Sequence, residues 1–236
     1  MKSEAFKVLS EIEGSWWDFG RQSAISQALK KVSINKKDNV LDLGAGYGSM
    51  YSYLSNWGKV DAFEPDKKAL GIAINRGYSK GYSSVDGLKE LDNTYSLVGA
   101  FDVLEHVEND KELVKIVFKL LKPSGTFVVT VPAFQFLWSK HDVSHLHFRR
   151  YTMKQMVSLL ESNGFELIYS RYWNVILFPL VAVMRILNIS GSSGIGSRGV
   201  INNLFKFILN LEAWIVRFVP IPFGVSLVVS VRKPSN

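Results

Sequence analysis

The sequence predicts an α/β domain in which a mostly parallel sheet of seven strands carries helices on both faces. Short apolar runs, typical of buried strands, alternate with helical segments along the first 170 residues. A glycine-rich turn follows the first of these runs, as in folds that bind ligands at strand ends. The chain has 236 residues, 47% of them hydrophobic, which is enough for one large core.

The predicted elements follow one another in a regular order. Strands are predicted at 40–43, 59–63, 78–82, 95–101, 126–131, 165–172 and 225–231. Helices are predicted at 4–32 with a break at Gly14, from the glycine turn to 56, from Pro65 onward, at 110–121 and at 152–163. Pro65 is expected in the first turn of its helix, where proline is favoured.

An apolar helical insertion is expected before the last strand. It contains two apolar stretches, 174–188 and 201–219, joined by the run SGSSGIGSRG. The predicted organisation is an N-terminal helical cap (1–35), an α/β domain (36–172 with 223–236) and the insertion (173–222).

Composition narrows the classes of function. The formal net charge is +7, and from residue 171 onward seven basic residues stand against Glu212 alone. Because these basic residues are interleaved with apolar ones, a membrane surface suits them better than a nucleic-acid groove, and no nucleic-acid partner is expected. The absence of cysteine excludes disulfides and thiolate metal sites. No signal peptide is expected, and a cytoplasmic location is predicted, with the chain peripheral at the inner membrane surface as an alternative.

The turn after the first strand reads Gly44-Ala45-Gly46-Tyr47-Gly48. Its spacing differs from the dinucleotide pattern G-x-G-x-x-G, because position 49 is Ser, and no Gly-Lys-Ser/Thr phosphate loop is present. Glu64 follows about twenty residues later, where an acid can accept hydrogen bonds from both ribose hydroxyls. A nucleoside ligand without phosphates fits this pattern.

Five segments together resemble the Rossmann-like class I S-adenosylmethionine-dependent methyltransferases. They are VLDLGAGYG, FEPD, FDVLEHV, LLKPSGTFVVTVP and FRRYT, in the family's order over most of the first 170 residues. The chain is most similar to the small-molecule methyltransferases, with some likeness to quinone-precursor O-methyltransferases. The resemblance implies S-adenosylmethionine as cofactor.

Carried over residue by residue, the resemblance also implies a set of cofactor contacts. The methionine end is expected at Asp42, Gly44, Ala45 and Gly46, the ribose at Glu64 and Pro65, the adenine at Asp86 and Leu88, the sulfonium at Phe101 and Asp102, and the carboxylate at Arg21.

A hydroxyl acceptor needs a base that takes its proton, and the chain has four histidines: His106, His141, His145 and His147. Our first choice is His141, with Asp142 orienting or charging it, as base or substrate anchor, and His106 and His145 are further candidates. The alternative is that this loop covers the site and its histidines bond only to backbone.

Further predictions concern substrate and metal. Substrate contacts are assigned to Trp16, Trp17, Trp138, Arg150 and Tyr151. For the tryptophan pair, packing of its helix on the sheet is the alternative. No divalent metal is expected, although Asp102, Glu105 and His106 match a metal-binding pattern of quinone-precursor enzymes.

The insertion leaves three interpretations open. Asn174, Pro179 and Arg185 interrupt its first stretch, which disfavours a membrane span. It either contacts anionic lipid, forms a lid or homodimer face, or adds a core layer. The predicted activity is methylation of a small, apolar or lipid-linked acceptor, with oxygen favoured over nitrogen. The alternative is a non-catalytic binding protein or membrane adaptor of the same fold.

Overall fold

The computed structural model describes residues 13–30, 32, 34, 36–187 and 199–235. Its seven-stranded sheet has the order β3-β2-β1-β4-β5-β7-β6. The strands are β1 Asn39–Leu43, β2 Lys59–Phe63, β3 Gly81–Tyr82, β4 Tyr95–Phe101, β5 Leu121–Pro132, β6 Glu166–Trp173 and β7 Ser226–Arg232. Pairs among β1 to β5 are parallel, whereas β7 runs antiparallel to β5 and β6. The predicted mostly parallel seven-stranded sheet is confirmed.

Helices cover both faces of this sheet. They are α1 Trp16–Leu29, α2 Tyr51–Leu54, α3 Lys67–Asn75, α4 Val85–Lys89, α5 Asp110–Leu120, α6 Lys140–Ser144, α7 Met153–Glu161, α8 Phe178–Ile186 and α9 Gly199–Phe218. Successive strand residues point to opposite faces, so Leu41 belongs to a core cluster with α5 and α7, and Val40 to a second cluster with α1 and α2.

The structure differs from the predicted boundaries in several places. β3 begins at Gly81 rather than at 78, and α2 ends at Leu54 rather than at 56. β5 begins five residues early because Leu121 pairs with Tyr95 of β4. The prediction for Pro65 is wrong, because Asp66 is the N-cap of α3 and Pro65 precedes it; the Asp66 carboxylate accepts hydrogen bonds from the first turn.

Between β6 and β7 the chain forms α8 and α9, and residues 188–198, with most of the Ser/Gly run, lie outside the described residues, as do residues 1–12. Gly20 allows α9 to approach α1 closely, because a Cβ at Gly20 would lie 2.6 Å from Leu209. The Glu212 carboxylate accepts hydrogen bonds from the backbone of Val175 and Ile176 at 2.7 and 2.8 Å. Within the described residues, no helix is long and apolar enough to span a membrane.

Candidate cofactor and acceptor site

The glycine turn is tied to the end of the neighbouring strand. The backbone N–H groups of Gly44 and Ala45 donate to the carbonyl of Phe63 at 2.8 and 3.0 Å. Gly44, Gly46 and Gly48 have φ angles of 79°, 54° and 81°, a left-handed conformation that costs other residues free energy. The glycines of the motif therefore shape the chain reversal at the carboxyl end of β1.

Glu64 is held beside this turn by two backbone groups. One carboxylate oxygen accepts from the N–H of Gly46 and the other from the N–H of Asp66, both at 2.9 Å. A Cβ placed on Gly46 would meet nothing within 4 Å, so open space borders the turn here. A carboxylate with spare lone pairs next to such space suits the two hydroxyls of a ribose.

Asp42 lies behind the glycine turn. Its side chain is 2% exposed and accepts a hydrogen bond from the Tyr78 hydroxyl at 2.5 Å. Burial raises the pKa of Asp42 to about 6, against the opposing effects of the Tyr78 hydrogen bond and the charge of Arg21. Asp42 is therefore a poorly hydrated acid whose charge state changes near neutrality.

Asp102 and Arg21 meet at the end of β4. Asp102 has a φ angle of 58°, and its carboxylate accepts from Thr130 at 3.2 Å and from Arg21 at 3.3 Å. Arg21 also donates to Asp18 at 3.0 Å. The buried Nε of Arg21 has no hydrogen-bond partner among the residues that the structure describes. This donor fits the carboxylate that the sequence assigned to Arg21.

The loop after β5 is organised around Asp142, which is fully buried. One carboxylate oxygen lies 2.9 Å from His147 Nδ1 and 2.8 Å from Arg150 Nε, and the other accepts from Arg185 at 3.1 Å. Burial alone would raise the pKa of Asp142, but the His147 hydrogen bond and the Arg150 charge outweigh it and hold the pKa well below its usual range. Asp142 therefore orients His147. It acts on His141 through its negative charge, which opposes the lowering of the His141 pKa, and the catalytic role of this pair stays a prediction.

His141 and His145 form a second pair in the same loop. Their ring centroids are 4.0 Å apart, and His145 Nδ1 lies 2.8 Å from the His141 carbonyl oxygen. Burial and the charge of Arg185 lower the pKa of His141 to about 3. His145 bonds to backbone as the alternative interpretation proposed, whereas His141 is a neutral ring at physiological pH.

Comparison with known proteins identifies the family. A family model described as a methyltransferase domain matches residues 17–170. The chain belongs to this methyltransferase family. It is 24% identical over 193 residues to phosphoethanolamine N-methyltransferase of Plasmodium falciparum, covering 74% of this chain and 73% of that protein.

The chain is also similar to an O-methyltransferase and to a solved methyltransferase structure. Ubiquinone biosynthesis O-methyltransferase of Rickettsia bellii is 27% identical over 140 residues, covering 51% of this chain and 58% of that protein. The chain thus spans little more than half of this second relative. Phosphoethanolamine N-methyltransferase 2 of Haemonchus contortus, in complex with S-adenosylmethionine, superposes with a TM-score of 0.59 at 14% identity, covering 89% and 52% of the two chains. The resemblance and the class I methyltransferase fold are confirmed.

The two residues assigned to adenine lie in different environments, one in the core and one at the surface. Leu88 is 0% exposed and belongs to the core, because its position in α4 faces the sheet, so its assignment as a cofactor contact is wrong. Asp86 is exposed and pairs with Lys89 at 2.7 Å. Phe101 is 7% exposed and packs in the core directly over Gly99. For Asp86 and Phe101 the cofactor assignments stay predictions.

The possible metal site in the structure consists of different residues from those that the sequence suggested. Glu105, His106 and His147 place ligand atoms within 4.8 Å of one another, and this is the set in the described residues that could hold a metal ion. Asp102 is not part of it, because its carboxylate bonds to Arg21 and Thr130. One carboxylate oxygen of Glu105 is buried and unpartnered within the described chain. The sequence missed His147 because its Asp142 partner is visible only in the fold. The expectation of no metal stays a prediction.

Two of the assigned substrate residues are structural. Arg150 is 5% exposed and donates to Asp142 and to the Ala133 carbonyl. Tyr151 is 4% exposed and donates to Asp110 at 2.7 Å. These buried contacts make both residues anchors of the loop after β5, and the substrate assignments of Arg150 and Tyr151 stay predictions.

The tryptophan pair packs on the insertion and on the sheet. Trp16 contacts Phe205 edge to face with ring centroids 5.2 Å apart, and Trp17 lies 4.7 Å from Trp173 of β6. These contacts agree with the alternative that the tryptophans serve to pack their helix on the sheet, and they connect the start of α1 with α9. Trp138 is half-buried after the 3-10 turn Gln135–Leu137, and its substrate role stays a prediction.

Proposed function

We propose that this methyltransferase transfers a methyl group from S-adenosylmethionine to an oxygen atom of a small, apolar or lipid-linked acceptor. The observation that carries the proposal is the Glu64 carboxylate, fixed by Gly46 and Asp66 next to open space at the glycine turn. When bound, the cofactor supplies a methyl carbon activated by a positively charged sulfur. The chain then has to hold the donor, align the acceptor and remove its proton.

The residues at the ends of β1, β2 and β4 hold the donor. Glu64 accepts from the ribose hydroxyls, and the unpartnered Nε of Arg21 donates to the carboxylate of the amino acid end. Asp42 supports the turn from below through its hydrogen bond with Tyr78. The carboxylate of Asp102, fixed by Arg21 and Thr130, adds negative charge at the strand end where a cationic sulfur is favoured.

The acceptor proton goes to a histidine of the loop after β5. His147 is the best placed, because an ionised Asp142 accepts from its Nδ1–H and leaves Nε2 with a lone pair when the ring is neutral. The same arrangement of carboxylate, histidine and hydroxyl activates nucleophiles in hydrolases. His141 and His106 are the further candidates. A hydroxyl must lose its proton to attack, and this pair supplies a base that can accept it.

An apolar acceptor is supported by the side chains around this loop. Phe136, Leu146 and Phe148 are 60%, 76% and 53% exposed. Exposed apolar clusters beside a site mark surfaces that meet an apolar ligand or a membrane. Of the two relatives, one is named for phosphoethanolamine and the other for ubiquinone biosynthesis, so both nitrogen and oxygen acceptors occur among similar proteins.

Calorimetric titration with S-adenosylhomocysteine tests the cofactor site. Glu64→Ala should raise the dissociation constant about hundredfold or more, because two charge-assisted hydrogen bonds are lost. Glu90→Ala, which removes an exposed acid of the same type, should leave it unchanged. Equal affinity of both variants, or no binding by the unaltered protein, would contradict the proposal.

Incubation with methyl-labelled S-adenosylmethionine and extracts of the producing cells tests the acceptor. Label is expected in the apolar fraction, on a methyl carbon bonded to oxygen by mass spectrometry, and His147→Asn should abolish it while keeping S-adenosylhomocysteine binding. Label only in the polar fraction would overturn the apolar acceptor. Cofactor binding without labelling of any fraction would favour the non-catalytic alternative.

A further inference from the structure

We propose that the outward face of α8 and α9 is a docking surface for anionic lipid. We define the outer face by Leu180, Val183 and Ile186 of α8 and by Phe207, Trp214 and Phe218 of α9. All six are exposed, and the aromatic three are 67%, 64% and 65% exposed. More than half of the exposed large apolar side chains in the described residues lie between 176 and 223. Such a concentration marks a contact surface rather than ordinary scatter.

The fold explains why these side chains point outward. The opposite side of α9 is occupied, since Leu209 and Val216 are buried against the body of the protein. Phe207, Trp214 and Phe218 lie on the remaining side at helical spacing. α8 buries none of its residues although it is strongly apolar. Both helices therefore lie on the surface, and neither is enclosed as a core layer.

The charges select anionic lipid as the occupant. In 173–187 and 199–223 the charged residues are Arg185, Lys206, Glu212 and Arg217. Glu212 is 3% exposed and bonds to backbone, and Arg185 bonds to Asp142. Lys206 and Arg217 remain as the charges of the two helices nearest the outer face. Two copies of this face would oppose like charges, whereas an anionic membrane complements both the charge and the apolar side chains.

Aromatic side chains connect the outer face with the candidate site. Phe178 at the start of α8 contacts Phe134 and Phe136, with ring centroids 6.1 and 6.4 Å apart. Phe136 is 60% exposed and lies in the loop after β5 that carries His147. A docked protein would thus present this loop to the lipid surface. Docking on lipid goes beyond the proposed function and does not depend on it. The delivery of a lipid-linked acceptor to the site is the part that rests on the proposed function.

Flotation of the full chain with lipid vesicles tests the docking surface. Vesicles of phosphatidylcholine with an equal amount of phosphatidylglycerol should carry the protein at low salt, and pure phosphatidylcholine should carry far less. Phe207→Gln/Trp214→Gln should lower the bound fraction about tenfold or more, through lost apolar burial. Arg217→Gln should lower it about fivefold, the share of one basic residue near an anionic surface.

Matched variants on α3 provide the controls. Ile72→Gln/Ile74→Gln removes two apolar side chains that are 38% and 37% exposed, and Lys67→Gln removes an exposed charge; neither should change flotation. Equal losses in control and test variants would overturn the proposal. So would failure of the unaltered protein to float, or sedimentation showing a dimer that Phe207→Gln/Trp214→Gln dissociates without any vesicle binding.

Calorimetry with S-adenosylhomocysteine on the same preparations separates the two proposals. A variant that keeps this affinity but no longer floats is folded, and its loss of flotation supports the docking surface. An unaltered protein that floats but does not bind S-adenosylhomocysteine supports the docking surface and contradicts the proposed function. One that binds S-adenosylhomocysteine but does not float contradicts the docking surface alone.

Discussion

The cofactor edge and the loop after β5 use charged groups in opposite ways. At the cofactor edge, the Glu64 carboxylate accepts from two backbone N–H groups, and open space borders the glycine turn at Gly46. In the loop, Asp142 is fully buried and bonds to two arginines and a histidine. The first arrangement keeps a carboxylate available for a ligand. In the second arrangement the carboxylate holds the loop together and orients the His147 ring.

This difference shows that the same chemical group, a carboxylate, can serve different roles in one molecule. Asp142 and Glu64 are both acids at the carboxyl edge of the sheet, yet substitutions at the two positions should affect different properties. Changes at the cofactor edge should reduce ligand affinity, and changes in the loop should reduce the free energy of unfolding.

The largest effect is expected from Asp142→Ala. Arg150 and Arg185 would lose their shared partner while remaining largely buried, and an unpaired buried charge costs about 3–5 kcal/mol. Chemical denaturation should show this loss in the free energy of unfolding. Asp86→Ala, which breaks the exposed pair with Lys89, is the control and should have little effect. Similar values for both variants would show that the Asp142 network is not a structural support.

Asp42 should make stability depend on pH. Its pKa is raised by burial from 3.8 unfolded to about 6 folded, so its stabilising contribution is complete below pH 3.8 and is lost as pH rises through 6. Relative to Asp42→Asn, the free energy of unfolding should fall by about 3 kcal/mol between acidic and neutral pH. Chemical denaturation of the unaltered protein and of Asp42→Asn, at pH values from acidic to neutral, measures this change in the free energy of unfolding. Parallel pH profiles would mean that the Asp42 pKa is not raised.

A small change in stability is expected from Gly46→Ala in the glycine turn. Its left-handed φ costs about 1 kcal/mol, and its new methyl group enters open space. Affinity for S-adenosylhomocysteine should nevertheless fall about tenfold or more. Gly44→Ala should lose more stability, because its Cβ would lie 2.6 Å from Val103. The reverse order of stabilities would contradict the geometry of the turn.

The sequence correctly predicted the first strand, the glycine turn and the position of Glu64 beside it, because these parts are local. The strand before Gly44, the glycine turn and the acid at Glu64 lie within 26 residues, and their order alone brings them to one sheet edge. The prediction for Leu88 failed although it was also local. A helix of five residues has one buried side, and the sequence pattern did not show which residue occupies it.

The amino-acid pattern indicates the order of strands and helices, the nucleoside-type turn and the apolar, basic character of residues 173–222. The contact between Asp142 and His147, and the meeting of Glu105, His106 and His147, become visible in the folded chain. The fold also decides which side of α9 faces outward. Periodicity and local motifs report on neighbours along the chain. Partners such as Asp142 and Arg185 are 43 residues apart, and only folding brings them into contact.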